Sequence, residues 1–143
     1  MTESVVAFPM DYIEIDEVDR ELIRVAGEAL ERNYCDPRHT VGAAVLCDSG
    51  EIYVGVNVES CGYGPCAEPI AIGRAITDGE RKIERIVAVG GAKEPHKVMS
   101  PCGNCRQMLF DYAPECWVII THEARIVKVK AKELIPDAYG NFD

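Results

Sequence analysis

Apolar residues recur at helical spacing early in the chain and then form two short runs separated by a turn. The helical positions in residues 16–34 are Val18, Leu22, Val25, Ala26, Ala29 and Leu30. This three-and-four spacing predicts an amphipathic helix over residues 16–34. Two apolar runs, 41–47 and 51–58, flank the turn residues Asp48-Ser49-Gly50. We therefore predict a β-hairpin that follows the helix.

Helical and strand patterns alternate through the rest of the chain. Helices are predicted over residues 66–78 and 102–112, and a short one before Pro136, while strands are predicted over residues 83–89, 116–121 and 125–130, with a loop over 93–101. The central strand–helix–strand–helix–strand portion requires parallel strands with right-handed crossovers. The fold class is therefore α/β, in three layers, with a mixed five-stranded sheet covered by helices.

Two cysteine motifs lie where predicted loops meet predicted helices. They are Pro65-Cys66-Ala67-Glu68 and Pro101-Cys102-Gly103-Asn104-Cys105. In sheets of this kind, ligands bind beyond the carboxyl ends of the parallel strands, and both motifs fall at those ends. The topology is therefore expected to bring the two motifs together.

Composition and charge narrow the classes of function. At 143 residues, the chain is interpreted as one domain over residues 1–143, with residues 1–15 an acidic, loosely packed extension. The net charge is −9, so the chain lacks the excess of basic residues that is typical of nucleic-acid-binding proteins. No apolar run approaches the ~18 residues of a membrane span, and the acidic amino terminus is unlike a signal peptide. We expect a cytoplasmic protein that binds neither nucleic acid nor membranes.

Seven cysteines are many for an intracellular chain. The cytosol would keep them reduced, so metal binding or catalysis is favoured over disulfides. Cys35, Cys47 and Cys116 lie in or beside apolar segments and are interpreted as core residues, as is Trp117.

Three thiolates and one carboxylate match the needs of a catalytic zinc site. Cys66, Cys102 and Cys105 would supply three ligands and leave the fourth tetrahedral position for water. Each would lie at a helix amino terminus, where N–H groups favour a thiolate. Glu68 follows a ligand by two residues and can face that water as a proton shuttle. The spacing C-x-E followed by P-C-x-x-C is the three-cysteine form of the zinc deaminase signature.

Other interpretations of the same residues remain open. Cys102 and Cys105 form a C-x-x-C pair of the kind found in redox proteins. A closed structural zinc would need a fourth ligand, for which Cys61 and His96 are candidates. A non-catalytic binding protein or a nucleic-acid editor on the same scaffold are further possibilities, although the acidic charge disfavours the editor.

The ordered set of motifs resembles the small cytidine deaminases over roughly residues 20–140. The resemblance is carried by Val41-Gly42-Ala43-Ala44, Gly55-Val56-Asn57-Val58-Glu59, Cys66-Ala67-Glu68, Ser100 through Gln107, Glu133-Leu134-Ile135-Pro136 and Tyr139-Gly140. It implies a zinc-dependent, homotetrameric hydrolase that converts small-molecule cytosine nucleosides to uracil nucleosides and ammonia. One Zn²⁺ per chain would be the cofactor.

The resemblance also assigns roles to residues. Cys66, Cys102 and Cys105 would be the zinc ligands, and Glu68 the catalytic proton shuttle. Asn57 and Glu59 would bind the ribose hydroxyls, and the backbone of Ala67 would contact the base carbonyl. Tyr139 or Phe142 of the tail would lie near a neighbouring subunit's site.

Some positions depart from that pattern and bear on the substrate. Pro69 replaces an arginine that follows C-A-E in typical cytidine deaminases, and His39 or Thr40 replaces an aromatic residue before V-G-A-A. The short loop of residues 60–65 and the missing arginine resemble blasticidin S deaminase, which acts on a cytosine antibiotic. A buried Glu59 would be repelled by that antibiotic's carboxylate, so cytidine and deoxycytidine are the expected substrates.

Overall fold

The computed structural model describes residues 10–140, which form seven strands, three α-helices and a final 3₁₀ turn. The helices are α1 (Glu17–Asn33), α2 (Ala67–Thr77) and α3 (Gly103–Tyr112), and the 3₁₀ turn spans Ala131–Leu134. The strands are β1 (Ile13–Glu14), β2 (Val41–Cys47), β3 (Ile52–Val56), β4 (Ile83–Gly90), β5 (Lys97–Met99), β6 (Trp117–His122) and β7 (Arg125–Lys130). The predicted helices and the β2–β3 hairpin are confirmed.

All seven strands join one mixed sheet in the order β1-β7-β6-β4-β2-β3, with β5 paired to β4. Strands β4 and β6 pair in parallel, while the other pairs are antiparallel. The predicted parallel relation therefore holds directly for β4 and β6. Strands β3 and β4 also run in the same direction, but β2 lies between them because it pairs with both.

The sheet has two strands more than the five predicted, although the α/β class is confirmed. Strand β5 lies in the predicted loop 93–101, where only three residues pair with the carboxyl-terminal end of β4. Strand β1 has two residues, paired with β7, and lies inside the predicted amino-terminal extension. Both are too short to show a two-residue period in the sequence. Residues 1–9 of that extension lie outside the described residues.

Helices cover both faces of the sheet. Helix α1 packs against one face, and α2 and α3 pack against the other, so adjacent residues Ala43 and Ala44 of β2 enter different cores. Helices α1 and α2 can lie close to the sheet because a glycine of the sheet faces each of them. A Cβ on Gly42 would lie 2.7 Å from the Ala26 carbonyl of α1, and one on Gly55 would lie 2.6 Å from the Ala71 nitrogen of α2. Any larger residue at these positions would push a helix away from the sheet.

A buried charge cluster holds the start of α1 against the sheet. Asp16 is the N-cap, and its side chain and that of Asp19 form a capping box. Asp19 is fully buried and accepts hydrogen bonds from Arg85 of β4 at 2.7 Å and from Lys128 of β7 at 2.8 Å. The pKa of Asp16 is held well below its ordinary value by the Asp19 N–H and by these two cations. The cluster therefore joins α1 to two strands.

Two of the predicted core residues lie elsewhere. Cys47 and Cys116 are buried as expected, but Cys35 is exposed, because it lies in a turn beyond the end of α1. Trp117 is only partly buried, because it begins β6 at the sheet end, where Lys130 Nζ lies 4.2 Å from its ring centre. Within residues 10–140, no helix has the length and apolar character needed to cross a bilayer.

Candidate active site

Helices α2 and α3 begin beside each other on the same face of the sheet. Cys66 is the N-cap of α2 and Cys102 is the N-cap of α3, and both have extended backbone conformations. Cys105 lies in the first turn of α3 and is fully buried. Neither helix has a side-chain hydrogen bond at its cap, and the first-turn N–H groups of a helix have no partner within the helix itself. The two motifs therefore meet, as the topology predicted.

The three sulfurs form a triangle of the size that zinc requires. Cys66 Sγ lies 3.6 Å from Cys102 Sγ, which lies 3.5 Å from Cys105 Sγ, and all three sulfurs lie within 4.8 Å of one another. Ligands at ~2.3 Å from a tetrahedral zinc are about 3.8 Å apart. Within the described residues, this is the only such cluster of three metal-ligating side chains. Both the spacing and the soft thiol donors fit zinc.

The local electrostatics differ among the three thiols. Burial raises the pKa values of Cys66 and Cys105, and the nearby Glu68 carboxylate raises them further. Burial also acts on Cys102, but the nearby backbone N–H groups of Cys105 and Asn104 and the two neighbouring thiols hold its pKa below the ordinary value. A divalent cation would favour the thiolate form of all three.

Glu68 lies in the first turn of α2 beside the sulfurs and is only 6% exposed. Burial raises the pKa of its carboxyl group, although its own N–H and the Cys105 thiol act in the opposite direction. A raised pKa means that the carboxyl group holds a proton more readily than an ordinary carboxylate does. The position and environment of Glu68 therefore suit a proton shuttle.

A cavity of about 180 Å³ extends from the sulfurs and Glu68 to a polar end. It is lined by residues of five segments: Thr40, Val41, Asn57, Glu59, Cys66, Ala67, Glu68, Ala88, Met99, Ser100 and Cys102. Each residue predicted as a zinc ligand, proton shuttle or substrate contact borders the cavity except Cys105, which is fully buried. Met99 and Ser100 were not predicted, because they border the cavity through the short strand β5.

Asn57 and Glu59 lie at the polar end of the cavity, where they contact each other. Asn57 is buried, and its Oδ1 accepts hydrogen bonds from the N–H groups of Thr40 at 2.7 Å and Val41 at 2.9 Å. Its Nδ2 lies 3.3 Å from Glu59 Oε1. Glu59 itself is exposed, contrary to the expectation that it would be buried. Asn57 therefore holds the strand ends together as well as facing the cavity.

The candidates for a fourth protein ligand lie outside the cysteine cluster. Neither Cys61 nor His96 belongs to it. Cys61 is exposed in the loop before Pro65. His96 has a side chain that is 6% exposed, and it contacts Glu31 Oε1 at 3.1 Å and the Gly91 carbonyl at 3.0 Å. This arrangement favours an open three-cysteine site over a closed structural one.

Comparison with known proteins identifies relatives over nearly the whole chain. The family model for the cytidine and deoxycytidylate deaminase zinc-binding region matches residues 16–121. A blasticidin-S deaminase of Bacillus cereus is 39% identical over 140 residues, which cover 91% of this chain and 98% of that protein. A cytidine deaminase of Halalkalibacterium halodurans is 34% identical over 132 residues, which cover 88% of this chain and 98% of that protein.

Solved structures of similar sequence share the fold. The crystal structure of a cytidine deaminase from Burkholderia pseudomallei aligns with a TM-score of 0.71 and 32% identity, covering 87% of this chain and 100% of that one. The resemblance inferred from the motifs is therefore confirmed, both in sequence and in fold.

The geometry of the sulfurs predicts which side chains hold the metal. Replacement Cys102→Ser should remove most of the zinc from the purified protein, because it breaks the three-sulfur set. Cys61→Ser and His96→Ala should each retain near-equimolar zinc. Elemental analysis of the three variants beside the native chain measures this directly. Loss of zinc from Cys61→Ser or His96→Ala would instead favour a closed site.

Proposed function

The chain belongs to the cytidine and deoxycytidylate deaminase family, and we propose that it hydrolyses the 4-amino group of a cytosine nucleoside, releasing a uracil nucleoside and ammonia. It is a zinc-dependent hydrolase. The observation that carries the proposal is the buried Glu68 beside three sulfurs of the right spacing, with a polar cavity end opposite. A redox pair or a binding module would not need that carboxyl group there.

Cys66, Cys102 and Cys105 would hold the metal. When bound, zinc supplies Lewis-acid activation of a water molecule. The helix N-termini that carry the cysteines help to offset the net charge of −1 left by three thiolates on one Zn²⁺. The protein's part is to keep this site preorganised and partly closed to solvent, which the burial of Cys105 and Glu68 accomplishes.

Glu68 moves the protons of the reaction. It accepts a proton from the attacking water and delivers it to the ring nitrogen N3 as the new C4–O bond forms. It then takes the proton from the oxygen newly bonded to C4 and passes it to the amino group, so that the C4–N4 bond breaks, the C4 carbonyl forms and ammonia leaves. Burial raises the pKa of Glu68 and so favours its protonated form, which suits a group that must carry a proton to the substrate.

The polar end of the cavity would bind the sugar. The Glu59 carboxylate accepts hydrogen bonds, and the Asn57 amide donates them, so together they can recognise hydroxyl groups. Ala67 is the first residue of α2, and its N–H has no partner within the helix. That N–H is a suitable donor to the base carbonyl at the other end of the cavity.

Blasticidin S is a second candidate substrate, favoured by two observations. The Bacillus cereus relative that is 39% identical is a blasticidin-S deaminase. In addition, Glu59 is exposed, so the argument from a buried, repelled carboxylate loses its premise in the single chain. What still favours cytidine is the Asn57–Glu59 contact, since this pair can bind two neighbouring hydroxyl groups.

We further propose that the chain forms a homotetramer and works in the cytoplasm, in pyrimidine salvage. Exposed aromatic side chains support the assembly, since Tyr63 of the loop before Pro65 is 73% exposed and Tyr139 of the tail is 82% exposed. Burial of such rings is a common contribution to subunit interfaces. Phe142, the other tail residue considered, lies outside the described residues. Seven free cysteines suit a reducing compartment.

Replacement Glu68→Gln should lower kcat by ~10²-fold or more, because the amide cannot carry protons between water and substrate. Zinc content and substrate binding should be retained, since Glu68 is not a ligand. Steady-state kinetics and metal analysis on the same preparation test both parts. Unchanged turnover would remove Glu68 from the mechanism.

An absorbance assay of related substrates tests the reaction and its specificity together. Cytidine and deoxycytidine should be deaminated faster than free cytosine, blasticidin S or aminated purine nucleosides, because they place hydroxyl groups beside Asn57 and Glu59. Glu59→Gln should lower kcat/KM for cytidine. Blasticidin S as the best substrate would support the second candidate instead.

Light scattering at working concentration tests the assembly. We expect a mass about four times the 15.7 kDa of one chain. A mass near that of a single chain would contradict the tetramer, while leaving the proposed reaction to be judged by the activity assays.

A further inference from the structure

The hydrogen-bond ladder between β2 and β3 changes its partners at the edge of the cavity. Because Gly42 pairs with Val56, the next pair is Val41 with Asn57, which would normally exchange both backbone hydrogen bonds. The Asn57 N–H does donate to the Val41 carbonyl at 3.1 Å. The Val41 N–H, however, donates to the Asn57 side-chain Oδ1 at 2.9 Å. The Asn57 carbonyl therefore lacks its regular ladder partner.

His39 supplies the missing donor. Its Nδ1 lies 2.8 Å from the Asn57 carbonyl oxygen. Since a carbonyl can only accept, Nδ1 must carry the proton in this contact. The ring is aimed by a closed turn, in which the N–H groups of Arg38 and His39 donate to the Cys35 carbonyl at 2.7 and 2.8 Å and the Cys35 N–H donates to the His39 carbonyl at 2.9 Å.

The same turn also holds the next part of the cavity rim. The Glu59 N–H donates to the Arg38 carbonyl at 3.2 Å, and the Val58 N–H donates to the Pro65 carbonyl at 3.1 Å. Residues 57–59 form the rim segment, and the backbone N–H of each donates a hydrogen bond to a neighbouring segment. The exposed Glu59 side chain contacts Asn57 Nδ2, and its direction depends on this backbone.

We propose that His39 is a positioning residue that sets the place of Glu59, and thereby the selectivity for sugar hydroxyl groups. The inference rests on the proposed function, in which Glu59 binds those hydroxyls. Without the imidazole, the Asn57 carbonyl loses its donor, and the rim segment is released at one of its anchors. In the proposed function the base and the reacting carbon would lie at the starts of α2 and α3, and none of the hydrogen bonds of this turn involves a residue of those helices. The effect therefore falls on sugar recognition and not on the chemical step.

Three variants test the proposal in the full-length, zinc-loaded protein. His39→Ala removes the donor, and His39→Asn replaces it with an amide N–H. His122→Ala is a matched control, because His122 does not line the cavity and its ring stacks on Tyr12. The substrates are cytidine and 2′,3′-dideoxycytidine, which lacks the 2′ and 3′ hydroxyl groups. For His39→Ala, KM for cytidine should rise about fivefold to tenfold, the size of one lost hydrogen bond. For His39→Ala, kcat with cytidine and KM for the dideoxy substrate should each change less than twofold. In His39→Asn, KM for cytidine should return most of the way to the native value.

Amide hydrogen exchange supplies a readout that does not depend on activity. Exchange at Asn57, Val58 and Glu59 should be faster in His39→Ala than in the native chain or in His122→Ala, while the amides of α2 and α3 keep their protection. Equal losses with both substrates, an unchanged KM for cytidine, or unchanged exchange at the rim would overturn the proposal. If the native protein deaminates neither nucleoside, the proposed function fails, and the exchange measurement alone then decides whether His39 positions the rim.

Discussion

Helices α2 and α3 both begin with a cysteine at the N-cap, and these two helix ends meet over one face of the sheet. This arrangement leaves first-turn N–H groups without side-chain caps and places three thiols within 4.8 Å of one another. Zinc would hold the three sulfurs as thiolates. The uncapped N–H groups at the helix starts would then stabilise the negative charge of those thiolates. The burial of Cys105 and Glu68 follows from the same meeting of helices, and it gives Glu68 its raised pKa.

The opposite end of the cavity is built from strand ends instead of helix ends. Here side chains replace backbone groups in the ladder, because Asn57 Oδ1 takes the place of its own carbonyl and His39 satisfies that carbonyl in turn. Such replacement ends a regular sheet without leaving buried polar groups unpaired. One end of the cavity is thus formed by the three cysteines and Glu68, and the other by a polar rim that side-chain hydrogen bonds hold in place. Such an arrangement suits a ligand that has both a base and a sugar.

Much of the site could be predicted from the sequence, because its chemistry is local. Cys66 and Glu68 are two residues apart, and Cys102 and Cys105 are three apart, so each motif shows its spacing without knowledge of the fold. The hairpin and the three helices were predictable for a similar reason, since their periodicity and turn residues are strong. The sequence also shows Asn57 and Glu59 two residues apart, although it did not show that the Glu59 side chain is exposed.

Sequence alone determined the α/β class and predicted the three zinc ligands and the proton shuttle, because periodicity and motif spacing are visible within a few residues. Tertiary structure decided what depends on contacts between distant segments. These include the pairing of β1 with β7 and of β5 with β4, the exposure of Cys35 and Glu59, and the burial of His96 against Glu31. It also decided the contact between His39 and the Asn57 carbonyl, which joins residues 18 positions apart. Burial and hydrogen-bond partners of this kind are set by which segments pack together, and that choice has no local signature in the chain.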